Sequence, residues 1–280
     1  MEKWGDKPYH SLDYENKKRF GEKVYKISLA GGTTCPNRDG TLGTRGCCFC
    51  SGSGSGDFAA TKGSITEQIE EAIARVSRYK NAGHHFTAYF QSFTATYAPV
   101  ETLRAAWEEA MTHESVVTLA IATRPDCLGD DVLSLLVDCC RKMPVTVELG
   151  LQTIHPDTIR YIRRGYPNSV YETAVKNLQN IGVNVVTHVI AGLPGETKEN
   201  FLDTVRYVAD IGSDGIKLQL LHVLKGTDLA LDYESKMFRT LTPDEYLDYI
   251  AEALSILPPD MVIHRVTGDG PKDLLIAPLW

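Results

Sequence analysis

Four cysteines crowd one loop. Cys35 stands in the run TTCPNRDG, and Cys47, Cys48 and Cys50 follow in RGCCFC. Thiolates are soft ligands for iron and zinc. The Cys-x-x-Cys pair Cys47 and Cys50 lets two of them reach one centre from a single turn, and Cys35 supplies a third. Gly40, Gly43, Gly46, Gly52, Gly54 and Gly56 are interspersed. Glycine accepts backbone angles that other residues resist, so such a loop can wrap closely round a bulky inorganic group. Structural zinc normally takes four closed ligands, and no cysteine–histidine set of matching spacing follows. A redox Cys-x-x-Cys needs neither the third cysteine nor the glycines. Iron–sulfur clusters are usually held by four thiolates, so three leave one iron able to bind something else. The loop favours an open-site cluster, with structural zinc and redox thiols as competing readings.

The elements that must hold this loop follow a β/α rhythm. A short strand at Tyr25 leads into it. After it, ITEQIEEAIARVSRY reads as a helix with Ser64 as cap and Glu67 placed for a capping box. Strands are expected at HFTAYFQS, VVTLAIATR, VTVELGLQT, VNVVTHVIAGL, GIKLQLLHVLKG and MVIHRVTGDG. Helices are expected at PVETLRAAWEEAMTH, DDVLSLLVDCCRK, HPDTIRYIRR, SVYETAVKNLQNIG, TKENFLDTVRYVADIG and TPDEYLDYIAEALSIL. Continuous apolar strands alternating with helices argue for a parallel sheet covered by helices. Six repeats predict an α/β fold, an incomplete TIM-like (β/α)6 barrel, over residues 23–280. Residues 1–22 form an N-terminal extension, 31–58 are the cluster loop, and a short C-terminal extension follows the last strand.

In parallel β/α folds, active sites gather at the C-terminal ends of the strands. Arg124 ends the third strand, where it can grip a carboxylate or phosphate or pair with Asp126 or Asp130. Glu148, Gly150 and Gln152 share one face of the fourth strand by alternation. That face should be the barrel interior, where a charged Glu148 needs a partner. His188 lies on the fifth strand, either in the cavity or as a satisfied core histidine. Lys217, Gln219 and His222 on the sixth and His264 and Arg265 on the last make the mouth polar and basic. Arg124, Glu148, His188, Lys217, His222 and Arg265 are the substrate-side candidates. Cys127, Cys139 and Cys140 read as small apolar helix residues.

The cluster loop resembles that of the radical S-adenosylmethionine (SAM) superfamily, in the expanded spacing of its YtqA/YhcC subgroup. The Elongator catalytic subunit has a similar form. CPNRDG, the C-x-F-C ending and the GSGDF tail carry the resemblance, which extends over essentially the whole chain. It implies the same (β/α)6 barrel and a [4Fe-4S] cluster on Cys35, Cys47 and Cys50, with SAM on the fourth iron. Cys48 is then a neighbour, and Phe49 packs near the adenine. Gln91, Ser92 and Thr94 hold the methionine moiety, in QSFT where the superfamily usually has glycines. Gln152 meets the ribose and Arg164, rather than Arg163, the SAM carboxylate. Gly192 and Leu193, in GLPG, support the adenine.

The implied activity is reductive cleavage of SAM to a 5'-deoxyadenosyl radical. In this branch it is associated with transfer RNA wobble-uridine modification, turning 5-carboxymethylaminomethyl-(2-thio)uridine into the 5-aminomethyl form. Implied partners are tRNA and an electron donor such as flavodoxin or ferredoxin. A radical SAM enzyme of a small metabolite or tetrapyrrole, and a non-catalytic zinc or iron–sulfur RNA-binding protein, are the rivals. The Elongator subunit's acetyltransferase segment has no counterpart in this sequence, so acetyl-CoA chemistry is not expected. Relatives continue beyond APLW, where a C-terminal lid or tRNA-contacting helix is expected.

Bulk properties set the remaining bounds. The 280 residues are 43% hydrophobic with a net charge of −7, enough for a large core. That charge opposes nonspecific nucleic-acid binding by the whole surface but not by a local basic face. Lys17, Lys18, Arg19 and Lys23 form a small basic group, read either as solvated surface or as a phosphate-contacting edge. No apolar run is long enough for a membrane span, the N-terminus lacks a signal-like segment, and seven cysteines fit a reducing cytoplasm.

Overall fold

The computed structural model describes residues 4–80 and 82–280. Seven strands form one parallel sheet: β1 (Tyr25–Leu29), β2 (Phe86–Phe90), β3 (Val116–Thr123), β4 (Val145–Gln152), β5 (Asn184–Ala191), β6 (Gly215–Leu220) and, after an intervening short strand, β8 (Val262–Arg265). They are ordered as in the chain. Six β/α units and a seventh strand match the (β/α)6 expectation, whose last strand is β8. Side chains from β2 through β8 line one shared cavity, which requires the sheet to curl. β1 does not pair with β8, so the barrel is open along that edge.

Helices α2 (Ile65–Tyr79), α3 (Val100–Thr112), α4 (Asp130–Cys140), α5 (Pro156–Tyr161), α6 (Asn168–Asn180), α7 (Lys198–Ile211) and, later in the chain, α9 (Pro243–Ile256) connect successive strands. Their apolar stripes meet the outward strand residues in one core that includes Ile69, Leu103, Trp107, Leu135, Leu178, Phe201 and Val205. The helix ends obey local chemistry. Ser64 and Glu67 form the expected capping box, and Thr242 and Glu245 form another ahead of Pro243.

Two stretches differ from the sequence reading. GIKLQLLHVLKG is not one strand. β6 stops at Leu220, and β7 (Val223–Leu224) pairs antiparallel with β9 (Leu275–Ala277) in a small second sheet. The run serves two cores, because Leu221 and Val223 pack with Cys48, Leu193 and Leu229 away from the main one. That second core is completed by α8 (Asp228–Glu234). The N-terminal extension contains a helix, α1 (Leu12–Phe20), capped by Ser11. Only Asn16 of α1 is buried, so no apolar stripe announces it. α1 packs beside β8, and the Ile263 amide donates to the His10 carbonyl at 2.7 Å.

Candidate active site

The parallel register brings inward residues of adjacent strands into layers. Ala122 lies opposite Glu148, Gly150 opposite His188, and both His188 and Arg265 opposite Lys217. The small residues on β3 and β4 leave room above Glu148. The result is a cavity of about 190 Å³ at the C-terminal end of the barrel.

Cys35, Cys47 and Cys50 share the rim of this cavity. The Asn37 amide donates to Cys47 Sγ at 3.5 Å and to the Arg163 carbonyl at 2.7 Å. A hydrogen bond from Cys50 draws Cys47 down to about 6, and the same contact raises Cys50. One thiol of the pair is therefore already disposed to ionise. Cys48 points the other way, into the second apolar core, and burial pushes its thiol up to about 12. Among the described residues no three His, Cys, Asp or Glu side chains meet at a position for a single metal ion.

The loop is seated on the tip of β2. The Phe93 amide donates to the Gly54 carbonyl at 2.8 Å. A Cβ on Gly54 would stand 2.2 Å from the Phe93 ring, and one on Gly56 would stand 2.3 Å from Ser92 Oγ. Arg38 lies 5.8 Å from the Phe93 ring centroid and donates to the carbonyls of Cys50 and Ser51 at 3.2 and 2.6 Å. Asp228, at the start of α8, holds Arg163 at 2.5 Å and Arg45 at 3.5 Å. Arg163 in turn donates to the Gly46 carbonyl.

Phe49, Gln91, Thr94, Arg124, Glu148, Gln152, Arg164, His188, Lys217 and Arg265 all line the cavity with the three cysteines. Gln152 adopts a left-handed backbone, φ 64°, where β4 breaks register with β5. Its Oε1 is buried with no partner among the described residues. A Cβ on Gly150 would stand 2.9 Å from its amide. Strain and an orphaned acceptor together mark a place that expects a donor.

Other candidates sit differently. Ser92 lies behind the wall under Gly56, its Oγ also buried and unpartnered among the described residues. Leu193 is buried in the second core, and Leu241 covers Gly192. His222 does not line the cavity and packs toward Gly270 instead. Arg164 lines the wall, but its five donors are spent. They reach the carbonyls of Leu151, Thr153 and Tyr166 and the Asn168 side chain. The carboxylate contact that the resemblance implies for Arg164 has no free N–H in this arrangement. Arg124 makes the bidentate pair with Asp126, at 2.9 and 2.7 Å. Arg265 has no hydrogen-bond or ion-pair partner among the described residues and is exposed.

Glu148 is fully buried and accepts from four side chains. Lys26 binds Oε1; Lys217 at 2.5 Å, Tyr89 at 2.6 Å and His188 at 2.8 Å bind Oε2. Burial alone would raise its carboxyl, but Lys217, Lys26 and His188 outweigh burial and hold it well below the ordinary range. Gln219 donates to His188 Nδ1 at 2.8 Å, which fixes His188 as the Nε2–H tautomer. Burial, reinforced by Lys217, lowers His188 to about 4. Lys26 and Tyr89 were absent from the sequence candidates. Their signal was alternation, because Lys26 and Ser28 on β1 face the same way as Tyr89 and Gln91 on β2. Ser28 accordingly donates to Gln91 at 3.2 Å.

A parallel partial barrel with three thiols at its mouth is the architecture of a radical SAM enzyme. The family model for the radical SAM superfamily matches residues 20–208, and that for the radical SAM C-terminal domain matches 213–280. The chain belongs to the radical SAM superfamily, whose cofactors are a [4Fe-4S] cluster and SAM. It is similar to the protein YtqA of Bacillus subtilis, with 43% identity over 98% of this chain and 85% of the relative. It is also similar to YhcC of Escherichia coli, with 38% identity over 94% and 84%. Among solved structures, the archaeal Elp3 of Methanocaldococcus infernus superposes with a TM-score of 0.67 at 18% identity. The match covers 90% of this chain and 58% of that one, and it bears on the fold alone. The site fits the two cofactors. Three thiols offer soft ligands with no fourth beside them, and Gln152 Oε1 is a buried acceptor awaiting a polar group. No helix among the described residues is long and apolar enough to cross a membrane.

Proposed function

We propose that this radical SAM enzyme acts in the cytoplasm on tRNA, converting 5-carboxymethylaminomethyl-(2-thio)uridine at the wobble position to the 5-aminomethyl form. The single observation that supports an anionic side chain as substrate is a charge contrast. The chain carries a net −7, yet its cavity is lined by Arg38, Arg124, Arg164 and Arg265 against one carboxylate, Glu148. The resemblance to the YtqA branch supplies the RNA and the nucleoside.

When bound, the cluster and SAM supply one-electron reduction, by way of a flavodoxin or ferredoxin, and a 5'-deoxyadenosyl radical that removes hydrogen from the substrate. The chain's own residues do the placing. Cys35, Cys47 and Cys50 hold the cluster. Gln91, Thr94 and Gln152 offer hydrogen bonds to SAM, Ser92 backs the loop from behind the wall, and Phe49 packs on the adenine, which Gly192 and Leu193 support from behind. Arg265, free of any protein partner among the described residues, takes the substrate carboxylate. Arg124, already paired with Asp126, lines the same cavity. Hydrogen loss at the glycyl methylene, loss of one further electron to a one-electron acceptor and loss of the N–H proton then give an imine, whose hydrolysis releases the two-carbon fragment as an aldehyde acid and leaves the primary amine.

The test is anaerobic reconstitution with dithionite, SAM and tRNA bearing the modified uridine. The expected result is 5'-deoxyadenosine together with a nucleoside lighter by the carboxymethyl group. Deoxyadenosine without a change in nucleoside mass would overturn the substrate.

A further inference from the structure

The cavity floor holds more basic groups than its one carboxylate can match. Five strands bring titratable groups to Glu148, while β3 presents Ala122. β1 gives Lys26, β2 Tyr89, β5 His188, β6 Lys217, and β8 His264 and Arg265. Burial keeps both histidines neutral, and a tyrosine held against a carboxylate stays protonated. That leaves two lysines on Glu148, with Arg265 nearby. One carboxylate neutralises one ammonium, and a second ammonium away from water is strongly disfavoured. The more buried of the two is the one poised to give up its proton. The Lys26 side chain keeps 21% of its surface exposed and that of Lys217 only 6%, so burial selects Lys217.

Lys217 Nζ has two partners and one open position among the described residues. It donates to Glu148 Oε2 at 2.5 Å and to the Tyr89 hydroxyl at 3.3 Å. Its third position has no partner among the described residues, and the residue lines the cavity. An amine anchored by two N–H bonds keeps its lone pair for whatever occupies that space.

Resting on the reading that the substrate is a secondary amine bearing a carboxylate, we propose that Lys217 is the base that takes a proton from that amine. In water the substrate nitrogen is an ammonium. One substrate N–H bond breaks, one Nζ–H bond forms, and the positive charge passes to Lys217, where Glu148 receives it. No electron changes hands. The freed lone pair then adjoins the carbon that loses hydrogen and stabilises the electron-deficient centre formed there. The substrate carboxylate assists, because on Arg265 it offsets the positive field that otherwise keeps Lys217 neutral. Burial, with Lys26 and Arg265 beside it, places the Lys217 ammonium near neutrality, at about 7.

Two measurements on the full chain test this. The first is the side-chain carbon NMR titration of labelled lysines. One lysine is expected to titrate near neutrality, and its signal should vanish in Lys217→Met. If every lysine titrates at the ordinary value of about 10, the proposal fails. The second is turnover on modified tRNA. Lys217→Arg puts a permanent cation on Glu148 and cannot accept the substrate's proton, so nucleoside conversion should fall on the order of 10²-fold or more, by a larger factor than 5'-deoxyadenosine formation. Wild-type conversion should show an acid limb near neutrality that deoxyadenosine formation lacks. If Lys217→Arg converts at the wild-type rate, Lys217 is not the base, although the substrate stands. If the wild type itself leaves the nucleoside unchanged, the substrate reading fails and takes this proposal with it.

Discussion

Cys48 lies between two proposed ligands, and its burial separates it from them. Its thiol sits among Ile162, Ile190 and Leu193, so Cys48→Ala should cost about 1 kcal/mol of stability through a small cavity and leave iron content unchanged. Cys35→Ala, Cys47→Ala or Cys50→Ala should each lose the brown colour and SAM cleavage. Iron assay after reconstitution separates the two classes. Glu148 poses the opposite problem, since its charge anchors four donors. Glu148→Gln leaves its four donors without their anion and should destabilise by about 3–5 kcal/mol, read from denaturant midpoints. Lys217 links charge to pH. Its folded value is about 7, against an ordinary value of about 10.4. Between those limits the unfolded chain binds a proton that the folded chain does not. Stability should therefore rise with pH across that window, by up to about 1.4 kcal/mol per unit for one proton. Lys217→Met should remove that slope; an unchanged difference between the two proteins across the window would mean that Lys217 stays charged.

The cluster loop is an element without regular structure, and close backbone approach fixes it to β2. Gly54 has φ 57°, and its Cα faces the Phe93 ring, which itself sits on a left-handed residue. Gly54→Ala must push that ring into the cavity, at about 1–3 kcal/mol, and should lower cluster retention more than global stability. Iron content and thermal midpoint, measured together, check this. The sequence carried part of this arrangement. Helix α2 was legible to the residue because Ser64, Glu67 and an apolar stripe all agree. The three thiols on one rim were legible from spacing, and Glu148 as an interior carboxylate from strand alternation. Two of its four partners, Lys26 and Tyr89, were not named, because they meet it only through strand register. Gln152 was legible as a cavity residue, but its left-handed turn was not, since nothing in a glutamine announces positive φ. The break after Leu220 was hidden because both segments are apolar and only the second core distinguishes them.

At the scale of the whole molecule, the barrel's weak place is its unclosed edge. β1 pairs only with β2 and β8 only with β6. The open ladder of β8 is covered by the N-terminal segment, which contributes the His10 carbonyl to the Ile263 amide and the Ser11 bridge to the same residue. His10 also reaches the Asp260 carbonyl. α1 itself brings little apolar surface, since Asn16 is its one buried residue. An edge held by a few polar contacts should open well below the global unfolding free energy. β3, β4 and β5 are each paired on both sides and backed by the core, and should open only globally. Native-state hydrogen exchange should therefore show residues 10–20 and β8 exchanging as one unit, about 2 kcal/mol or more below β4. The consequence reaches the site. Arg265 ends β8 and lies opposite Lys217, so each opening of this edge admits water to the one lysine that is buried among the described residues. If the Ile263 amide proves as slow as that of Val147, the edge is closed in solution and the N-terminal segment is part of the barrel's core.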